Sequence, residues 1–251
     1  MYEHILFEVS DGIATVTLNR PDKMNAYVPQ MGADVVDAFA RIRDDAEIRV
    51  AILTGAGRGF CAGVDLEYLK ASHAGQDPTA GKGPKLGEEE FVRSFPLELA
   101  EFPKPVIVAI NGAAIGVGVT MTLPCDVRIA ADHAKLGLTF AKLGILPGLG
   151  STHLLPRLVG MAKAKELVLT ARVISAAEAE QIGLVNKVVP PDSLMKEARE
   201  MAAMMAECPP GVLAAAKRAL HFGARATLEE AMRNEAAEAA ALRKSRTGPR
   251  G

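Results

Sequence analysis

Residues 51–66 read AILTGAGRGFCAGVDL. A run of apolar residues enters a turn rich in glycine and leaves it at an aspartate that suits the first turn of a helix. Residues 106–120, VIVAINGAAIGVGVT, repeat the design: buried strand, glycine turn, helix start. A chain that builds this unit twice alternates strands with helices, the mark of an α/β architecture.

The flanking sequence extends the pattern. Residues 2–9 and 12–18 alternate apolar and polar around Asp11-Gly12, which predicts a hairpin. Met31, Val35, Val36, Phe39 and Ile42 recur at helical spacing over 29–44. Residues 64–71 read as a second helix and 88–101 as a third, separated by the Gly-, Pro- and Lys-rich loop 72–87. Short strands are expected at 126–131, 134–138 and 184–189. From residue 150 the pattern turns helical. Ser175 and Glu178 form a capping box before a short helix that stops at Gly183, and Asp192 is expected to cap a helix running to about Glu207. Two Ala-rich helices follow, and the run Met195, Met201, Met204, Met205 reads as packing surface.

Turns of the 51–66 type point backbone amides outward at a helix start, where negative charge is favoured. Two such turns face to face would make a two-donor oxyanion hole. Taken singly, each reads as a structural tight turn before a functional one. A dinucleotide site fails on detail, because GAGRGF and GVGVTM both lack the last glycine of G-x-G-x-x-G.

FCAGVDL (60–66), NRPDKMNA (19–26) and INGAAIGVG (110–118), with LGILPGLGST (143–152) and ISAAEAEQIGLVNKVV (174–189), together resemble the enoyl-CoA hydratase/isomerase (crotonase) superfamily over nearly the whole chain. The resemblance implies a crotonase-like α/β spiral of repeated ββα units over 1–190, holding an acyl-CoA site, and a C-terminal helical trimerisation region over 191–251. It implies a homotrimer or dimer of trimers acting on an acyl-CoA thioester, with no cofactor beyond the CoA of the substrate. By the same resemblance the amides of Val64 and Val117 are the oxyanion donors. Lys23, Met24, Ala26, Ala62, Gly63, Asp65, Leu66 and Gly116 occupy CoA- and substrate-binding positions.

The chain departs from the family where proton chemistry is done. The two glutamates of the hydratases fall on Thr120 and Phe140, and an aspartate that some relatives carry falls on Gly148. Neither Thr nor Phe is a general acid or base, so weak or absent hydratase activity is expected. Three explanations stand: another residue supplies the proton, enolate stabilisation alone suffices, or the protein binds acyl-CoA without chemistry. Asp65, Glu90 and Arg93 lead the substitutes, with His73, Glu88 and Glu89 in the same segment. The Glu run also reads as a solvated helix start, and Asp65 as a helix-start charge.

Composition closes off other classes. Net charge is −1, from 29 basic and 30 acidic residues, so nothing global attracts nucleic acid or a membrane surface. Three widely spaced cysteines suggest neither zinc nor a redox pair, and Cys61 has no histidine placed to activate it. The scattered histidines His4, His133 and His221 suggest no metal site, and His153 reads as a surface or capping histidine rather than a base. No apolar run is long enough to span a bilayer, and MYEHILFEVSDG is not read as a signal peptide, so the cytoplasm is the expected location. Arg243, Lys244 and Arg246 are read as a solvated tail or a contact to the CoA 3′-phosphate.

Overall fold

The structure is a computed structural model that describes residues 2–76 and 85–247. The predicted hairpin is β1 (Ile5–Ser10) and β2 (Ile13–Leu18), paired antiparallel around a left-handed Asp11-Gly12. A 3-10 turn at Pro21–Lys23 leads to α1 (Pro29–Asp44). Three successive units follow. β3 (Val50–Gly55), β4 (Gly59–Cys61) and α2 (Leu66–His73) form the first. After two short helices, α3 (Glu90–Arg93) and α4 (Phe95–Ala100), come β5 (Val106–Ile110), β6 (Ala113–Ile115) and α5 (Val117–Thr120). The third holds β7 (Val127–Ala131), β8 (Lys135–Gly137) and, past a 3-10 turn at Thr139–Leu143, α6 (Ser151–Thr170). The chain ends with β9 (Val173–Ser175), α7 (Ala176–Gln181), β10 (Lys187–Val189), α8 (Leu194–Ala206), α9 (Pro210–Gly223) and α10 (Leu228–Thr247).

In each unit the first strand joins one sheet and the second strand another. The six-stranded sheet runs β1-β2-β3-β5-β7-β10 and the four-stranded sheet β4-β6-β8-β9. This is the spiral of ββα units expected from the sequence. Strand alternation sorts the large sheet's residues into two cores. Ala51, Leu53, Val106, Val108 and Ile110 face α1 and the smaller sheet. Val50, Ile52, Ile107, Ala109 and Ile129 face Leu194, Ala198 and Ala202 of α8. The helix that opens the 191–251 region therefore closes the sheet's second face. Beyond it, α9 and α10 pack on each other and α9 is tied to the core by Lys217, whose ammonium reaches Asp126 Oδ2 at 2.7 Å and the Lys104 carbonyl at 3.0 Å.

Three local expectations are corrected. The helix read over 88–101 is two, α3 and α4, meeting at Ser94. Pro96 explains the break: its ring has no N–H for the carbonyl four residues back and crowds the preceding turn. Asp192 does not cap α8. It lies in a 3-10 turn, Pro191–Ser193, and the N-cap position is Ser193, without a side-chain bond. The capping box is half made: Ser175 Oγ accepts the Glu178 amide at 3.1 Å, but the Glu178 carboxylate turns to Arg172 at 2.9 Å.

Candidate active site

Each glycine turn leaves one amide unengaged. Tyr27 forms a parallel bridge with Val64: its N–H donates to the Gly63 carbonyl at 2.7 Å and its carbonyl accepts the Asp65 amide at 2.9 Å. This bridge uses the peptide groups on either side of Val64 and turns Val64's own amide the other way. In the second turn the Gly116 amide donates to the Gly137 carbonyl at 2.7 Å. Gly116 then takes φ 55°, ψ −115°, a conformation suited to glycine, and the chain enters α5 with Val117 as its first residue. Among the described residues, neither the Val64 nor the Val117 amide makes a backbone hydrogen bond.

The two turns touch. A methyl group at Gly63 would sit 3.3 Å from the Ile115 carbonyl oxygen, and one at Gly116 would sit 3.9 Å from the Gly63 α-carbon. Two free donors, one at a helix N-terminus, share a small region whose outer wall is aromatic: the Phe140 ring lies 3.8 Å from a methyl at Gly116. Such a pair can hold a developing oxyanion.

The loop of residues 19–26 is fastened beside this region by Asn25, which is buried. Its Oδ1 accepts the Arg20 amide at 2.8 Å, and its Nδ2 donates to the Ala56 and Gly59 carbonyls at 2.9 and 2.8 Å. The Ala62 amide donates to the Met24 carbonyl at 3.0 Å. Met24 and Tyr27 are thus held by backbone hydrogen bonds against the Ala62–Asp65 turn. Met24 takes a left-handed conformation, φ 52°, and exposed Lys23 reaches Glu67 at 3.5 Å.

The ionisable candidates fare unequally. Asp65 caps α2 by accepting the Glu67 amide at 3.0 Å and pairs with Arg20 at 3.2 Å, so its carboxylate is occupied. Glu90, Arg93 and His73 are exposed, whereas Glu89 is buried. Nothing in a run of three glutamates told the buried member from the others. Thr120 is buried, with its hydroxyl 3.5 Å from the Val117 carbonyl. Gly148 and Lys142 lie on the exposed side of the loop before α6. Burial pushes the Cys61 thiol up to about 12, so it is not a nucleophile at neutral pH. The side chain of Arg246 lies outside the described residues, as do residues 77–84 of the 72–87 loop. No group of three or more potential metal ligands clusters among the described residues, and no helix there is long and apolar enough to cross a membrane.

Known proteins resemble the chain over most of its length. The sequence model of the enoyl-CoA hydratase/isomerase family matches residues 8–247. The chain is 40% identical over 231 residues to the 1,2-epoxyphenylacetyl-CoA isomerase of Escherichia coli, covering 91% of this chain and 86% of that one. It is 41% identical over 226 residues to the (E)-benzylidenesuccinyl-CoA hydratase of Thauera aromatica, with 90% and 85% covered. The crystal structure of an enoyl-CoA hydratase from Bacillus anthracis superposes with a TM-score of 0.84 at 36% identity, covering 94% of this chain and 89% of that one. Match length, identity and fold agree: the chain is a lyase- or isomerase-type enzyme and belongs to the enoyl-CoA hydratase/isomerase family.

Proposed function

We propose that this enzyme forms an enolate from an acyl-CoA thioester, with the thioester oxygen held by the Val64 and Val117 amides, and that it hydrates enoyl thioesters weakly or not at all. The paired free amides of the two touching glycine turns carry this reading. A thioester carbonyl gains negative charge as a proton or a carboxylate leaves its α-carbon, and fixed donors at that oxygen lower the barrier. Hydration needs a further group to activate water. At the positions where the family resemblance implies glutamates stand Thr120 and Phe140, and the latter places a ring beside Gly116. The relatives' names divide between isomerase and hydratase, so they leave both chemistries in play.

Lys23, Met24, Ala26, Ala62, Gly63, Asp65, Leu66 and Gly116 would cradle the CoA, and no other cofactor is called for. The exposed apolar side chains Leu220, Phe222, Leu228 and Met232 on and between α9 and α10 favour a homotrimer or a dimer of trimers, since large exposed apolar surfaces mark contacts between chains. A cytoplasmic location fits this role. A second reading, a non-catalytic acyl-CoA binder, is favoured by the absence of an ionisable group at Thr120 and Phe140.

A panel of crotonyl-, 3-enoyl-, 2,4-dienoyl-, methylmalonyl- and 3-hydroxyacyl-CoA separates these outcomes. Turnover on a thioester other than crotonyl-CoA supports enolate chemistry and names the reaction. Turnover of crotonyl-CoA at about 1 s⁻¹ or more rejects the weak-hydratase reading. CoA binding with no turnover on any member supports the binder.

A further inference from the structure

Val64, which carries one of the two free amides, lies in the turn between β4 and α2. Its bridge to Tyr27 stands outside the named strands. It consists of two hydrogen bonds at 2.7 and 2.9 Å, with the Ala62–Met24 bond at 3.0 Å beside it. The segment that supplies Tyr27 is irregular as well: Asn25 is left-handed at φ 54°, and α1 begins at Pro29. A donor that must be placed to within about half an ångström needs neighbours whose own side chains are locked. Val64 therefore depends on what holds Tyr27.

Tyr27 is buried and held on several sides. The Phe91 ring of α3 stacks on it at 5.0 Å and 27°, and Phe95 of α4 continues the stack from Phe91 at 5.6 Å. α1 passes so close that a methyl group at Gly32 would sit 2.5 Å from the Tyr27 hydroxyl oxygen and 2.8 Å from the Phe91 β-carbon. The hydroxyl donates to Glu89 Oε1 at 2.7 Å. Burial, and then the charge of Glu89, push the phenol far above its usual range, so it remains a donor. Glu89 stands at the N-cap position of α3, yet its side chain makes no cap bond. Its Oε2 is buried without a partner, so among the described residues its carboxylate is bonded by the Tyr27 hydroxyl alone. The other buried carboxylates are better served. Asp34 accepts two amides and the Gln30 side chain, and Asp65 accepts the Glu67 amide and pairs with Arg20. A carboxylate kept in the interior on one bond costs stability, and such a group calls for an explanation in function.

We infer that Glu89 and Tyr27 are a positioning pair: the Glu89 carboxylate anchors the Tyr27 side chain, and the Tyr27 backbone holds Val64 with its amide aimed at the thioester oxygen. The inference rests on the enolate reading above. Neither side chain meets the substrate or moves a proton. The anchor lies on α3 and the amide lies in the turn before α2, so Tyr27 is the link that passes the seating of one to the other. Once the hydroxyl is released, the ring can shift in the junction of α1 and α3, and the bridge to Val64 shifts with it. The amide then points away from the oxygen it should hold. That hydrogen bond strengthens as charge develops on the oxygen, so its misplacement slows the reaction more than it weakens binding. Glu89 serves here as an acceptor, and a neutral acceptor of the same shape can take its place.

The test reads the carbonyl band of bound butyryl-CoA, labelled with carbon-13 at the carbonyl, by isotope-edited difference infrared spectroscopy. Steady-state kinetics run beside it on any thioester the wild type turns over. In the wild type the band is expected below that of the free thioester. Glu89→Leu and Tyr27→Phe are each expected to return it towards the free position and to lower kcat at least about tenfold, with KM within about threefold. Glu89→Gln, whose amide oxygen still accepts the Tyr27 hydroxyl, is expected to restore both band and rate. A band at the wild-type position in Glu89→Leu and Tyr27→Phe overturns the inference and leaves the enolate reading standing. Lost turnover in Glu89→Gln with the band unmoved gives Glu89 a direct part in the chemistry and overturns it too. A wild-type band no different from that of the free thioester overturns the enolate reading, and this inference with it. Should the single variants fail to fold, Tyr27→Phe/Glu89→Leu, which leaves no buried polar group of the pair unmatched, decides. Its band moved towards the free position supports the inference, and a band at the wild-type position overturns it.

Discussion

The α-carbon of Gly118 lies so close beneath the Cys61 carbonyl that a methyl group there would stand 2.3 Å from its oxygen. This contact locks α5 against β4 and fixes the spacing of the two free amides. Gly118→Ala is therefore expected to separate the turns. Activity on any thioester the wild type turns over should fall at least about 100-fold, as when an oxyanion donor is lost, with a lowered melting temperature. Steady-state kinetics beside calorimetry check both.

Installing the missing acid tests whether Thr120 and Phe140 silence hydration. Phe140→Glu combined with Thr120→Glu is expected to raise crotonyl-CoA hydration at least about tenfold over the wild type, within the range a positioned acid or base contributes. Absorbance loss of the enoyl thioester reports it. No gain, in a variant that still binds CoA, would show that other features exclude water.

The thiols give a pH dependence. Burial holds the Cys61 and Cys125 thiols at about 12, above their ordinary 9.0. Both therefore ionise earlier in the unfolded chain than in the folded one. Their contribution is intact below pH 9.0 and is lost as pH rises from there towards 12, at about 1.4 kcal/mol per unit for each. Denaturant titrations from pH 8 to pH 11 should show this loss, reduced in Cys61→Ala/Cys125→Ala. At neutral pH a thiol reagent should modify exposed Cys208 rapidly and the buried pair only on unfolding.

Lys217 pins the helical hairpin. Its contacts to Asp126 and the Lys104 carbonyl are half-buried, so Lys217→Met is expected to cost about 1–3 kcal/mol. Amide exchange should speed up in α9 and α10 more than in β3 or β5. Uniform acceleration across the chain would argue against a local pin.

The hairpin, α1 and the buried strands were legible because their apolar spacing has the strand or helix period over five residues or more. Of the second sheet only β8, expected at 134–138, was legible. β4, β6 and β9 are three residues each, too short to show a period, and their partners are set by long-range pairing. The turns could be read from their glycines, but not that they touch, which depends on Gly63 meeting Ile115. The break at Pro96 was readable from the proline itself. The burial of Glu89 was not, because it comes from packing Phe91 onto Tyr27, residues far apart in the chain.

The order of strands also bears on how the protein is made. Synthesis lays down β1, β2, β3, β5 and β7 in the order in which they stand side by side. The helix that covers their outer face, α8, is translated only after all of them. Until Leu194, Ala198 and Ala202 leave the ribosome, Ile13, Val50, Ile52, Ile107 and Ile129 form a bare greasy strip on a nearly finished sheet. A chain stopped near residue 190 keeps that strip for good, which makes prematurely terminated products a natural target for chaperones and proteases.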